Sequence, residues 1–158
     1  MKVYISADIE GICGVTHWDE TDLEKPASEA AVAQMTAEVS AACEGALEAG
    51  ATEIWVKDAH DSARNLIAAK LPREARLIRG WSGHPFLMMA GLDSSFSCAM
   101  MIGYHAQAGS GANPLAHTMS GQILGLKIND SLASEFRITA YTAGYCQVPV
   151  VFVSGDQG

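Results

Sequence analysis

The sequence is short of positive charge, of aromatic residues and of long apolar runs, and each shortage closes off a class of protein. Its 158 residues hold 10 Lys and Arg against 18 Asp and Glu, a formal net charge of −8. Nucleic-acid binders gather Lys and Arg on one face, so no nucleic-acid partner is expected. Arg64, Lys70, Arg73, Arg76 and Arg79 do lie close together, but Glu74 interrupts them and no aromatic ladder accompanies them. That cluster reads as a solvated face. No apolar run reaches the roughly 18 residues of a membrane span, and the amino terminus enters a strand directly, without a signal-peptide pattern. A cytoplasmic location with no membrane partner is the expectation. The four cysteines, Cys13, Cys43, Cys98 and Cys146, lie far apart with no CxxC pair, which fits reduced, packed thiols better than a disulfide frame or zinc knuckle.

What is present suits a single globular domain with a sizeable core, since 49% of the residues are hydrophobic and 18% charged. The opening stretch Met1 to Glu10 reads as a buried strand that ends on two carboxylates. Alternation along an extended chain puts Asp8 and Glu10 on one side and Ile9 on the other. After a polar stretch from His17 to Lys25, Pro26 opens an alanine-rich helix to Ala49, with Gly50 at the capping position. Thr52 to Val56 is the next strand, and the strand-helix-strand order implies a right-handed parallel unit. Short helices are expected at Ala63–Lys70 and Pro85–Leu92, with a weak strand between them at Ala75–Ile78. A third apolar strand, Ser97 to Tyr104, ends on His105. The stretch from Ala106 to Pro114 reads as a mobile loop without a phosphate-binding signature. It is followed by a turn at Asn129-Asp130, a helix from Ser134-Glu135 through Ala143 and a last strand at Val148–Val153. The fold class is α/β, a mostly parallel sheet flanked by helices.

In such sheets functional groups collect beyond the carboxyl ends of the strands. Asp8, Glu10, His60 and His105 all fall there, and together they form an oxygen and imidazole set fit for zinc or a similar divalent ion. With Glu135 as a further acid, the set is large enough for a pair of ions sharing a carboxylate. His117, beyond the flexible loop, is either a surface histidine or a general acid or base. His17 and His84 follow no strand and read as bystanders.

The segments Ala7-Asp8-Ile9-Glu10-Gly11-Ile12-Cys13-Gly14, Asp58-Ala59-His60, Gly103-Tyr104-His105-Ala106, Ala116-His117-Thr118-Met119, Asn129 to Glu135, and Ala143-Gly144-Tyr145 with Pro149-Val150 resemble, in that order, the zinc-dependent D-aminopeptidase family of bacterial dipeptide-transport operons. The resemblance implies an exopeptidase that removes an amino-terminal D-residue from short peptides, with two zinc ions per subunit. It carries metal binding onto Asp8, as the bridging ligand, and onto Glu10, His60, His105 and Glu135, and it carries the catalytic role onto His117. It also implies a ring-shaped homo-oligomer. Family members run well beyond 158 residues, so the expectation is that residues 1–158 form one α/β catalytic domain, the amino-terminal part of a longer architecture. Thr118 and Phe136, beside functional positions, depart from the family pattern in ways that alter pocket shape. Two other readings of the same ligand set are a binuclear metal esterase or phosphoesterase, whose phosphate would call on Lys57 or Arg64, and a non-catalytic metal-binding assembly subunit.

Overall fold

Val3, Tyr4, Ile5, Ser6 and Ala7 are buried on both faces of their strand, and a strand with no polar face is stable only at the centre of a covered sheet. The computed structural model, which describes residues 1–158, puts it there. Strand β1 (Lys2–Ala7) lies between β2 (Glu53–Asp58) and β4 (Cys98–Tyr104), with β3 (Ala75–Ile78) outside β2 and β7 (Val150–Gly155) outside β4. The order is β3-β2-β1-β4-β7 and every pairing is parallel. A separate two-stranded hairpin joins β5 (Lys127–Ile128) to β6 (Ser131–Leu132). Its turn residues Asn129 and Asp130 both take positive φ, as a tight primed turn requires.

Each face of the sheet is covered by one helix. Helix α1 (Ser28–Glu48) presents Ala31, Met35, Val39, Cys43 and Ala46 at helical spacing, and these pack on Val3, Ile5, Ile54, Val56 and Ile102. Burying a Met or Val side chain in such a seam is worth about 1.5–3 kcal/mol. Gly50, at φ 89, ends the helix where a left-handed cap is needed. On the other face Tyr4, Met88, Met89, Phe96, Met101 and Tyr104 form a second cluster with Ala143 of α2 (Glu135–Tyr145). Edge strand β7 leaves Val151, Phe152 and Val153 exposed.

The chain turns outward from β1 in both directions, so the carboxyl ends of β1 and β4 flank the crevice where crossovers to the two halves of the sheet diverge. The two backbones meet there: Asp8 N donates to Ile102 O at 2.8 Å and Gly11 N to Gly103 O at 2.9 Å. A Cβ on Gly11 would lie 2.0 Å from Tyr104 O. Gly11→Ala is therefore expected to destabilise the fold by about 3 kcal/mol or more, at the upper end of overpacking effects. Urea unfolding checks this, and an unchanged midpoint would show that the strands can part without cost.

Three expectations need correction. β1 stops at Ala7, and after Asp8 the chain makes a turn, Ile9 to Ile12, closed by Ile12 N donating to Ile9 O at 3.1 Å. The two carboxylates thus converge through a turn and not through strand alternation. Residues 63–70 form no helix beyond a single 3₁₀ turn at Ala68–Lys70. The local amides are taken up by Asp58, whose carboxylate accepts from Asn65 Nδ2 at 2.9 Å and Leu66 N at 2.7 Å, and Ala63 sits at φ 54. At 85–92 only Leu87–Met89 forms a 3₁₀ turn, since Leu87 at φ 47 cannot continue an α-helix.

Candidate metal centre

Asp8, Glu10, His60, His105, His117 and Glu135 meet beyond the ends of β1, β2 and β4. They arrive from the turn after β1, the loop after β2, the residue after β4, the loop before the hairpin and the first turn of α2. Ser134 caps α2 by accepting from Arg137 N at 3.2 Å, which fixes where Glu135 enters the site. Asp8 is central. Its Oδ1 lies 3.4 Å from His60 Nδ1 and its Oδ2 lies 3.4 Å from His105 Nε2. Glu10 Oε2 is 3.1 Å from His60 Nδ1, and Glu135 Oε1 is 3.5 Å from His105 Nε2. Asp8, Glu10 and His60 form one group of donor atoms within 4.8 Å of one another; Asp8, His105 and Glu135 form a second, so Asp8 belongs to both. Glu10, His105 and His117 make a third such group.

Each of the three histidines commits one ring nitrogen to a backbone carbonyl. His60 Nε2–H donates to Thr21 O at 2.9 Å, His105 Nδ1–H to Ala106 O at 3.0 Å and His117 Nδ1–H to Leu115 O at 3.0 Å. A carbonyl only accepts, so in each ring the other nitrogen is left facing the carboxylates. This is the arrangement that orients imidazole toward a metal.

The electrostatics point the same way. Every ion pair made by Asp8, Glu10 and Glu135 is with a histidine, so without a metal the only positive charge facing these three buried carboxylates is what the imidazoles take up. Burial pushes the Glu10 carboxyl up, and the neighbouring Asp8 charge pushes it further. Burial would also raise Asp8, but the flanking His105 and His60 reverse this and hold it well below the usual carboxylate range. Burial would lower both rings, yet the adjacent carboxylates outweigh it and carry His60 and His105 up to about 11. Asp8 Oδ2, Glu10 Oε2 and His105 Nε2 are buried without a hydrogen-bond partner. Orphaned hard-oxygen and imidazole donors facing one another are the donor set for zinc.

His117 sits at the edge of this cluster. Its ring stacks on His105 at 4.4 Å and 6°, and meets the edge of Trp18 at 5.3 Å. Its Nε2 is 3.3 Å from Glu135 Oε1 and 3.8 Å from Glu10 Oε1, with 14% of the side chain exposed. Asp8, Glu10, His60, His117 and Glu135 form the floor of a cavity of about 610 Å³, walled by Trp18, Trp81, Met88 and Met119. Met119 is held at φ 62 while its N–H donates to Glu135 Oε1 at 2.8 Å, backbone strain of a kind that concentrates at functional sites. His17 and His84 lie apart from this cluster, where each ring accepts from a nearby backbone amide. Of the thiols, Cys43 and Cys98 are buried and Cys13 is exposed, and all four are free.

Several contributors escape sequence reasoning. Thr21 acts only through its carbonyl, and Trp18 reaches the cavity from a polar loop that offers no pattern. Asp58 and Asn65 hold the His60 loop, with Asn65 Nδ2 donating to His60 O at 2.8 Å. Asp58 had a visible signal, since it is a buried carboxylate closing a strand.

Known proteins resemble the chain over nearly its whole length. The D-aminopeptidase of Bacillus subtilis (strain 168) is 40% identical over 156 residues, covering 99% of this chain and 56% of that protein. A solved structure described as the Zn-dependent D-aminopeptidase DppA from Bacillus subtilis, a self-compartmentalizing protease, matches with a TM-score of 0.91 and 39% identity, covering 99% of this chain and 57% of that one. The chain thus spans a little over half the length of these relatives. The α/β architecture is shared, and no helix is long and apolar enough to cross a membrane. The profile of the family described as D-aminopeptidase matches residues 1–158 throughout, and the chain belongs to that family.

Proposed function

We propose that residues 1–158 form the metal-binding catalytic domain of an aminopeptidase that removes the amino-terminal residue from short D-amino-acid peptides. In this reading Asp8, Glu10, His60, His105 and Glu135 hold two zinc ions, with Asp8 shared, and His117 is the catalytic histidine. The observation that carries it is the common orientation of the three imidazoles, each tied by one nitrogen to a carbonyl and directed by the other at buried carboxylates. The Bacillus subtilis relatives are named as D-aminopeptidases, one of them zinc-dependent, and they supply the bond and the substrate class.

Zinc in such a site supplies Lewis acidity toward a substrate carbonyl and toward water. The protein does the rest. The indoles of Trp18 and Trp81 narrow the cavity around a short peptide and exclude bulk water from its floor. His117 is placed to hold and move a proton at Nε2, because Leu115 O fixes its other nitrogen and the stacked His105 ring fixes its plane. A phosphoester is a poorer fit: no Lys or Arg lines the cavity, and the Lys57 ammonium is buried against Asp58 O and Gly80 O at 2.6 and 3.0 Å. We further propose a homo-oligomer, ring-shaped and enclosing its sites, in keeping with the self-compartmentalizing relative; the exposed apolar residues of β7, with Leu124 and Tyr145, offer surface for contacts. Four free thiols, one exposed, suit the cytoplasm.

The test is a panel of D- and L-aminoacyl amides and a phosphoester, assayed with and without zinc. Zinc-dependent turnover of the D-amides alone is expected; turnover of the phosphoester alone would overturn the reading. Metal loading has a second signature. His60 and His105, raised to about 11, carry an extra proton at neutral pH in metal-free protein, and a metal must displace it. Calorimetry in buffers of differing ionisation enthalpy is expected to show release of about two protons per fully loaded chain at pH 7, with affinity rising as pH rises. Release near zero would mean that these rings are already neutral in the metal-free protein.

A further inference from the structure

Strand β7 also ends on a carboxylate, Asp156, which lies outside the donor groups of the metal centre. Its partners are all amides. Oδ2 accepts from Ala106 N at 2.7 Å and from Asn113 Nδ2 at 2.5 Å, and Oδ1 accepts from Gly158 N at 2.8 Å. An anion that recruits only neutral donors forms strong, directional bonds, and here they lead to two histidines. Ala106, whose N–H is held by Asp156, offers the carbonyl of its following peptide to His105 Nδ1–H at 3.0 Å and to His117 N at 3.3 Å. Asn113, held by the same oxygen, accepts from Leu115 N at 2.6 Å through Oδ1, and Leu115 O accepts His117 Nδ1–H at 3.0 Å. Asn113 Nδ2 also lies 3.3 Å from Glu10 O. Both carbonyls that select a ring tautomer at this side of the site therefore hang from one carboxylate.

We propose that Asp156 is a positioning residue whose carboxylate, through the backbone of Ala106 and through Asn113, sets which nitrogen of His105 and of His117 faces the metal centre. It touches neither metal nor substrate. The kinetic part of this inference rests on the proposed peptidase reading, whereas the zinc-affinity and imidazole readouts below do not. Outer partners of ligating histidines typically contribute about 10–100-fold in metal affinity or activity, and that is the scale assigned here.

Asp156→Ala removes both arms. Asp156→Asn can turn its amide so that the oxygen still faces Ala106 N and Asn113 Nδ2, losing only the bond from Gly158 N, so it serves as the rescuing variant. Asn113→Ala removes the Leu115 arm, together with the contact to Glu10 O, and leaves the carboxylate and its Ala106 arm in place. The measurements are zinc affinity by chelator competition, long-range proton–nitrogen spectra of the histidine rings, the split of kcat from KM on a D-aminoacyl amide, and thermal unfolding as a control. Asp156→Ala is expected to lower zinc affinity and kcat by about 10–100-fold, with KM changed little, and to mix the His117 tautomers. Asp156→Asn should stay within a few-fold of the wild type. Asn113→Ala should mix the His117 tautomers while keeping zinc affinity. If Asp156→Ala does not fold, Asn113→Ala still decides, since a single retained Nδ1–H tautomer of His117 in that variant overturns the proposal. So does an Asp156→Ala protein with wild-type zinc affinity and ring spectra. A protein inactive on every peptide would refute the peptidase reading while these two readouts continued to decide the role of Asp156.

Discussion

Asp8→Ala is expected to strip the protein of both zinc ions at once, where His60→Ala or His105→Ala loses mainly one. The reason is that Asp8 alone belongs both to the group with Glu10 and His60 and to the group with His105 and Glu135. Turnover should fall by at least about 10⁴-fold, the scale of removing one member of a set that acts as a unit. Metal-free stability should fall as well. Asp8 is 1% exposed and holds two imidazoles that its charge helps to keep protonated, and breaking a buried ion pair by deleting one partner costs about 3–5 kcal/mol. Asp8→Asn isolates the loss of charge and bridging from the loss of volume, because the amide keeps the volume of the side chain. Metal analysis of protein purified without added ions, beside urea unfolding, measures both. An Asp8→Ala protein that retains two zinc ions would refute the shared-carboxylate arrangement.

His117→Ala is expected to keep its zinc and lose its rate. Five other donors remain in the two groups that share Asp8, and a partly exposed ring on a loop contributes little to the core. Proton transfer by a positioned side chain is worth about 10²–10⁴-fold, so kcat should fall by that factor or more while KM moves little. The stacked pair makes one alternative concrete, since Glu10, His105 and His117 also lie within ligand distance of one another. Loss of one zinc in His117→Ala would make the residue a ligand, and near-normal turnover would make it a bystander. Trp18 offers an internal comparison: its ring meets His117 at 5.3 Å and walls the cavity, so its replacement by Leu should raise KM more than it lowers kcat.

Local pattern accounts for what was readable in the sequence alone. The apolar runs of β1, β2 and β4 and the alanine-rich period of α1 are short-range signals, and strand-helix-strand order constrains a parallel sheet, so the fold class and the gathering of Asp8, His60 and His105 at strand ends followed from them. The strand pattern also reached Glu10, while the family motifs gave Glu135 and His117 the roles that it left open. The tertiary structure decided the rest. Glu10 faces Asp8 because the chain turns after Ala7, at a place where Gly11 and Gly103 let two backbones touch. The stretch at 63–70 is a loop because Asp58, from the preceding strand, takes the Leu66 amide that a helix would need and ties down the Asn65 side chain. The tautomers of the histidines rest on carbonyls of Thr21, Ala106 and Leu115, and a backbone carbonyl has no side chain by which a sequence could announce it. Periodicity reports which face of an element is buried; the direction of a ring nitrogen depends on hydrogen bonds to residues distant in the chain or set by loop conformation, and these exist only once the loops have closed around the site.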